Sequence, residues 1–347
     1  MSTIYVGSTP NDAREQSDGF EYLTEEQEKE IRDGGKLAKT IPGILNRFEV
    51  IQSGTNEYYV KYNNSIFGGR FTSQYTAFGS VLGTYRRRGG TSSTAQIEDD
   101  LELWTPQNMR LQVTAWYKAD SISGTDGSAQ SSWSDSSRNS NHASQGNTSR
   151  YPTLQTNEIG THPVVRFDGA NDFYTSTDIA DLDVGTGDIW MAIVFKAAAD
   201  GTIGFMFEKG VNQFGLMHTK NGELQARLGG TSNIPKHDDG NWSRTSFVLV
   251  TASRVSSTCN GFVDGSPMDT TGTTNTGSIN NSDVLDIGAT AIGGHPLNGD
   301  IAELIIGGHT LSDANRLKIE GYLAHKYGLE GNLPSDHLYK SSAPINE

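Results

Sequence analysis

From about residue 101 to 330 the chain repeats one pattern: a short β-rich run, then a loop of Ser, Asn, Asp and Gly. The runs are Leu111–Tyr117, Val164–Phe167, Ile189–Phe195, Ile203–Phe207, Thr245–Thr251, Val284–Ile287 and Ile301–Ile306. No helical pattern alternates with them, so a parallel βαβ sheet is excluded and an antiparallel sandwich is expected. Such a fold tolerates a polar chain, because each strand buries one face while the loops stay wet. That tolerance is needed here: only 34% of the 347 residues are hydrophobic, and 40 are Gly.

One helix closes the repeating region. Ser312 is a suitable N-cap, Leu317, Ile319, Tyr322, Leu323 and Tyr327 share one face, and Gly328 ends it. The tail after it contains Pro334 and Pro344 and is expected to run over the surface. The region before residue 96 differs. Residues 1–45 read as an extended polar arm with one short helix capped by Thr24 and Gln27, too poor in apolar residues to build a core. Residues 46–95 read as a small β segment and linker. Phe48–Gln52 and Glu57–Tyr62 alternate apolar and polar residues as a hairpin does, and Arg86, Arg87 and Arg88 precede a Gly-rich boundary. The expected division is therefore 1–45, 46–95, a sandwich over 96–331 and a tail over 332–347.

The loops and the closing helix carry a resemblance. Ala115–Ile122, Ser132–Ala143, Pro163–Asp172, and above all Leu297–Ile306 followed by Leu311–Gly328, resemble the concanavalin A-like (laminin G/pentraxin-like) jelly-roll domains of phage and bacterial surface proteins. The resemblance covers residues from about 113 to 340 and implies an all-β, concanavalin A-like antiparallel β-sandwich with one C-terminal helix. It does not imply one function, since this fold hosts binders, adhesins, enzymes and virion parts alike.

Charge narrows the partners. A formal net charge of −14 argues against nucleic acid and against docking on an anionic membrane. No run of about 18 apolar residues is present to span a bilayer. The first thirty residues hold no apolar stretch of a secretory signal, and Cys259, the only cysteine, excludes an internal disulfide. An extracellular-looking composition made in a host cytoplasm without export fits a virion component.

Candidate chemistry lies in the loops. Trp133, Tyr151 and Trp242 sit in loop-like contexts where an aromatic could stack on a sugar, whereas Trp116 and Trp190 lie inside strands and read as core. Asp135 with Asn139, and Asp168 with Asp172, could supply oxygens to calcium, or could simply satisfy their own turns. Asp178, Asp181 and Asp183 form a third acidic cluster with the same two readings. No zinc spacing occurs among the eight His. Glycoside hydrolases on this fold carry several carboxylates along one strand; no such run exists, and Asp286 is alone in its strand.

The expectation is a non-enzymatic phage virion protein. It would be a capsid decoration or cement protein bound to the major capsid protein through residues 1–95, with Arg86–Arg88 docking on the particle. Assembly as a homo-oligomer is expected, without a cofactor other than calcium. A tail-fibre protein or a free carbohydrate-binding module recognising surface glycans is the alternative.

Overall fold

A computed structural model describes residues 48–71, apart from 55, 56, 63 and 64, and residues 103–345, apart from 110, 199, 200, 239, 291 and 292. Arg86, Arg87, Arg88 and the arm over residues 1–45 lie outside the described residues. Two compact units are present: one holds residues up to Trp104 together with 341–347, and the other runs from Thr105 to Lys340.

The first unit contains the expected hairpin, β1 (Phe48–Gly54) and β2 (Glu57–Tyr62), paired antiparallel with Phe48 opposite Tyr62. A third strand not anticipated from the sequence, β3 (Ser65–Phe71), pairs with β2.

The second unit is an all-β sandwich with a single helix among its described residues. It opens with β4 (Ala115–Lys118), β5 (Ser132–Trp133), β6 (Ala143–Ser144), β7 (Thr153–Ile159), β8 (His162–Asp168) and β9 (Tyr174–Thr175). Next come β10 (Ile189–Ala197), β11 (Gly204–Lys209), β12 (Phe214–His218), β13 (Leu224–Leu228) and β14 (Lys236–His237). The remainder is β15 (Val248–Val255), β16 (Thr258–Val263), β17 (Ser266–Pro267), β18 (Thr273–Thr274), β19 (Leu285–Ile287), β20 (Asn298–Gly307) and helix α1 (Asp313–Tyr327). One sheet has the order β17-β16-β15-β10-β20-β8-β7, with β18 on β16 and β4 on β20. The other has the order β14-β13-β12-β11-β19-β9-β6-β5. All the pairings are antiparallel, as expected for strands joined by polar loops.

The period-2 alternation of the strands makes the core. In β10, Ile189, Met191, Ile193 and Phe195 face the second sheet, whose Phe207, Phe214, Leu216, Leu285 and Ile287 come to meet them. Each such side chain contributes roughly 1.5–3 kcal/mol by leaving water. The opposite face of β10 carries Trp190, Ala192 and Val194, which are buried too, and α1 packs over β10 and β15. A strand covered on both faces reads as a continuous apolar run, which is what Ile189–Phe195 is.

Helix α1 begins and ends at the expected residues. Ser312 Oγ accepts the Asn315 N–H (3.2 Å), and Gly328 takes φ 68°, the left-handed geometry that favours glycine at a helix end. Two carboxylates fix it to the sheet. Glu303 of β20 accepts bonds from Trp116 Nε1 (2.6 Å), Tyr327 Oη (2.8 Å) and Lys326 Nζ (2.6 Å). Glu320 accepts from Thr251 Oγ1 (2.5 Å) and Arg316 Nη1 (2.8 Å) and lies 3.0 Å from His337 Nε2. His337 belongs to the tail, which was expected on the surface. Instead Leu333, His337 and Tyr339 are buried, because Gly321 leaves room on α1 for the Tyr339 ring.

One end of the sandwich is tied by Arg254, a fully buried guanidinium on β15. It donates to the carbonyls of Gly185, Gly187, Leu228 and Gly277 at 2.6–3.0 Å. Burial holds its pKa below the usual arginine value. Among the described residues no helix is long and apolar enough to cross a membrane.

Candidate functional site

The loop aromatics proposed as sugar platforms are core residues in two of three cases. Trp133 is fully buried between Tyr117 and Tyr174, with ring centroids at 5.8 and 6.1 Å, and its Nε1 donates to Lys118 O (2.9 Å). The reason is that Ser132–Trp133 is a two-residue strand: Ser132 points out and Trp133 points in. Trp242 is buried against Phe195 (5.8 Å) and donates to Gly222 O (2.9 Å). Tyr151 is half-buried after the turn Thr148–Arg150 and is not brought to either tryptophan's face. Trp116 and Trp190 are buried, as expected.

The loop carboxylates serve their own backbone. Asp135 accepts from the N–H groups of Trp116, Ser137 and Asn141 and from Ser137 Oγ, all at 2.6–2.8 Å. Asn139 Nδ2 donates to Val113 O (3.1 Å) and Thr114 O (2.9 Å). Asp168 accepts from the N–H groups of Ala170 and Asn171, and Asp172 from that of Asp168. Burial and the neighbouring Asp168 push the Asp172 carboxyl up to about 6. Of the third cluster, Asp178 and Asp183 each lie 3.0 Å from the buried Lys209 ammonium. Among the described residues, no group of three or more His, Cys, Asp or Glu is placed to hold a metal ion.

A different set of polar residues converges, on the outward face of the second sheet. Alternation sends Phe207, Leu285, Ile287 and Tyr174 into the core and turns Glu208, Asp286 and Thr175 outward. The register then aligns them. Arg227 lies opposite Gly215, Gly215 opposite Glu208, Glu208 opposite Asp286, Asp286 opposite Thr175, and Thr175 opposite Ser144. The result is one polar row across five neighbouring strands and on to β6.

Gly215 is required in this row. A Cβ there would sit 2.5 Å from Phe207 O, and its absence lets Arg227 reach across β12 to Glu208 Oε1 (3.3 Å). Glu208 also accepts the Asn212 N–H (2.9 Å). Burial raises the Glu208 carboxyl, and these donors oppose the rise. Burial likewise holds the Arg227 guanidinium below its usual value, although an arginine stays charged. Asp286 has fewer partners: Thr175 Oγ1 donates to Oδ1 (2.7 Å), and no described residue donates to Oδ2. Burial, helped by Glu208 and Asp283 and opposed by Thr175, pushes the Asp286 carboxyl up to about 6.

Two adjoining clefts open over the row. The first, about 380 Å³, is lined by Phe173, Thr175, Glu208, Val211, Asp283 and Asp286. The second, about 340 Å³, is lined by Phe205, Glu208, Val211, Met217, Arg227 and His295. Val211, 65% exposed on the β11–β12 turn, borders both. His295 stacks on Phe205 with ring centroids 6.0 Å apart. The arrangement offers hydrogen-bond acceptors and one cation on the floor, and apolar walls at the sides. Sequence reasoning missed it because it sought carboxylates along one strand, whereas Glu208 and Asp286 pair across two.

No family model and no curated protein matches this chain. Similar solved structures include Trypanosoma rangeli sialidase in complex with sialic acid, at 12% identity and a TM-score of 0.46 over 80% of this chain and 44% of that one. Another is the botulinum neurotoxin serotype D binding domain, at 11% identity and a TM-score of 0.43 over 60% of this chain and 51% of that one. The chain thus spans less than half of the sialidase. The second unit is an all-β antiparallel sandwich with two adjoining clefts on one face. The expectation that it is not an enzyme is corrected at its ground: it rested on the lack of several carboxylates along one strand, whereas Glu208 and Asp286 lie opposite one another on β11 and β19.

Proposed function

We propose that residues 105–340 form a glycan-binding β-sandwich of the concanavalin A-like kind, and that the two-cleft row is its binding face. The observation that carries this reading is the register of Arg227, Glu208, Asp286 and Thr175. It aligns buried charged and hydroxyl groups on the floor of clefts whose walls are Phe173, Val211 and Phe205. Sugars offer the complement, with hydroxyls for the carboxylates and C–H faces for the apolar walls. The full-length protein on a glycan array should bind a defined set of sugars. Glu208→Gln should lower that affinity about tenfold, since the charge-assisted bonds of its carboxylate are lost. An array without signal, or undiminished binding by Glu208→Gln, would place the function elsewhere.

A second reading concerns residues 1–95. We propose that they attach the sandwich to a virus particle, as in a decoration or fibre protein. Its support is compositional: residues 1–45 are polar, and their sequence has too few apolar residues to build a core. After gradient sedimentation, mass spectrometry should find the protein with a major capsid protein at fixed stoichiometry. Recovery of the protein alone at the top of the gradient would instead mark a free glycan-binding module.

A further inference from the structure

The two clefts differ in charge. Among the described residues, the first is lined by three carboxylates, Glu208, Asp283 and Asp286, and by no basic side chain. Glu208 is already engaged by Arg227, which leaves Asp286 and the exposed Asp283 without a counter-charge in this cleft. Asp286 is 3% exposed, and its Oδ2 accepts no hydrogen bond from any described residue. A buried carboxylate in that position carries a desolvation cost that only a donor or a positive charge offsets. The second cleft shares Glu208 and adds a cation paired with it. It is floored by Arg227, 9% exposed, whose buried Nε has no hydrogen-bond partner. Glu208 stands between the two and borders both.

From the Asp286 carboxylate, which lacks a counter-charge in this cleft, and resting on the reading of this face as a glycan site, we infer that the first cleft seats a protonated amino group of the sugar. The preferred ligand is an amino-sugar oligomer with free amines. Its ammonium lies against Asp286 and Asp283, and an oxygen of the adjoining residue accepts from Arg227 in the second cleft. Phe173 and Val211 wall the first cleft, where the C–H face of the amine-bearing ring would rest. A neutral sugar can fill the same volume but leaves the Asp286 charge uncompensated. The discrimination therefore lies in the charge and not in the shape.

Three hexasaccharides of one linkage separate the possibilities: glucosamine, N-acetylglucosamine and glucose. Titration calorimetry with full-length protein near neutral pH should show the glucosamine oligomer binding about tenfold more tightly than the other two. Asp286→Asn should reduce that preference to within about twofold, because only the amino sugar loses a charge-to-charge contact, whatever common loss all three oligomers share. The variant's thermal unfolding, followed in parallel, should show that it folds. Equal binding of all three oligomers by the wild type overturns the amino-sugar seat but leaves a neutral-glycan site standing. A preference that survives in Asp286→Asn overturns the role of this carboxylate. Calcium-dependent stabilisation that Asp286→Asn abolishes would assign the cleft to a metal ion instead. Failure of all three to bind, together with a silent glycan array, would remove the glycan reading itself.

Discussion

Asp286 holds its carboxyl on the outward side of a strand whose neighbours, Leu285 and Ile287, are both core. Its folded value of about 6 against an ordinary 3.8 means that the native protein binds this proton more tightly than the unfolded chain does. Stability is therefore greatest when the group is protonated in both states. It falls as pH rises from the ordinary value through about 6, then stays level. A shift of this size is worth about 3 kcal/mol. Asp286→Asn keeps an acceptor for Thr175 and removes the charge. We predict a higher melting temperature than wild type at pH above about 7 and a flatter melting profile between about pH 4 and 6. Calorimetric scans across that range check it. An unchanged pH profile would show that the carboxylate is well solvated in the native state.

Helix α1 shows how an element is held where propensity alone would leave it marginal. Its buried face mixes Ile319, Leu323, Ala324 and Tyr327 with Glu320, which pairs with Arg316 one turn earlier and lies 3.0 Å from His337 Nε2 of the tail. Glu320→Ala would remove the acceptor of the buried Thr251 hydroxyl and the close partner of Arg316 and His337. We predict a loss of about 3 kcal/mol, or roughly 10 °C in melting temperature, with a smaller loss for Glu320→Gln, which can still accept from Thr251. Circular dichroism melts of the two variants decide between this and a merely passive contact. The same helix was legible in the sequence, because Ser312, Gly328 and the period-3.6 apolar residues are all local signals. The long strands were legible for the same reason: Ile189–Phe195 and Ile301–Ile306 fall inside β10 and β20. Trp133 was misread because a two-residue strand has too few positions to show its period. The polar row was illegible for a deeper reason. Thr175 and Asp286 are 111 residues apart, and only the order β13-β12-β11-β19-β9 puts them beside Glu208 and Arg227. Glu320 reads as a solvated helix charge until a partner sheet and a tail residue are known to face it.

At the scale of the whole chain, the described core and its anchors lie between Thr105 and Lys340. The core cluster runs from Ala115 to Ile306, and the Glu303, Glu320 and Arg254 anchors draw all their partners from that range. The second unit is also the one that carries both clefts. A fragment comprising residues 105–340 should therefore unfold in one calorimetric transition close to that of the same unit in the full-length protein. A heat-capacity increment of about 3 kcal/mol/K is expected for a unit of this length. The fragment should also reproduce the full-length glycan affinity, since no row residue lies outside it. A fragment that melts broadly, or that binds only when residues 1–104 are restored, would mean that the first unit contributes to the site. The aligned row would then be only part of the binding face.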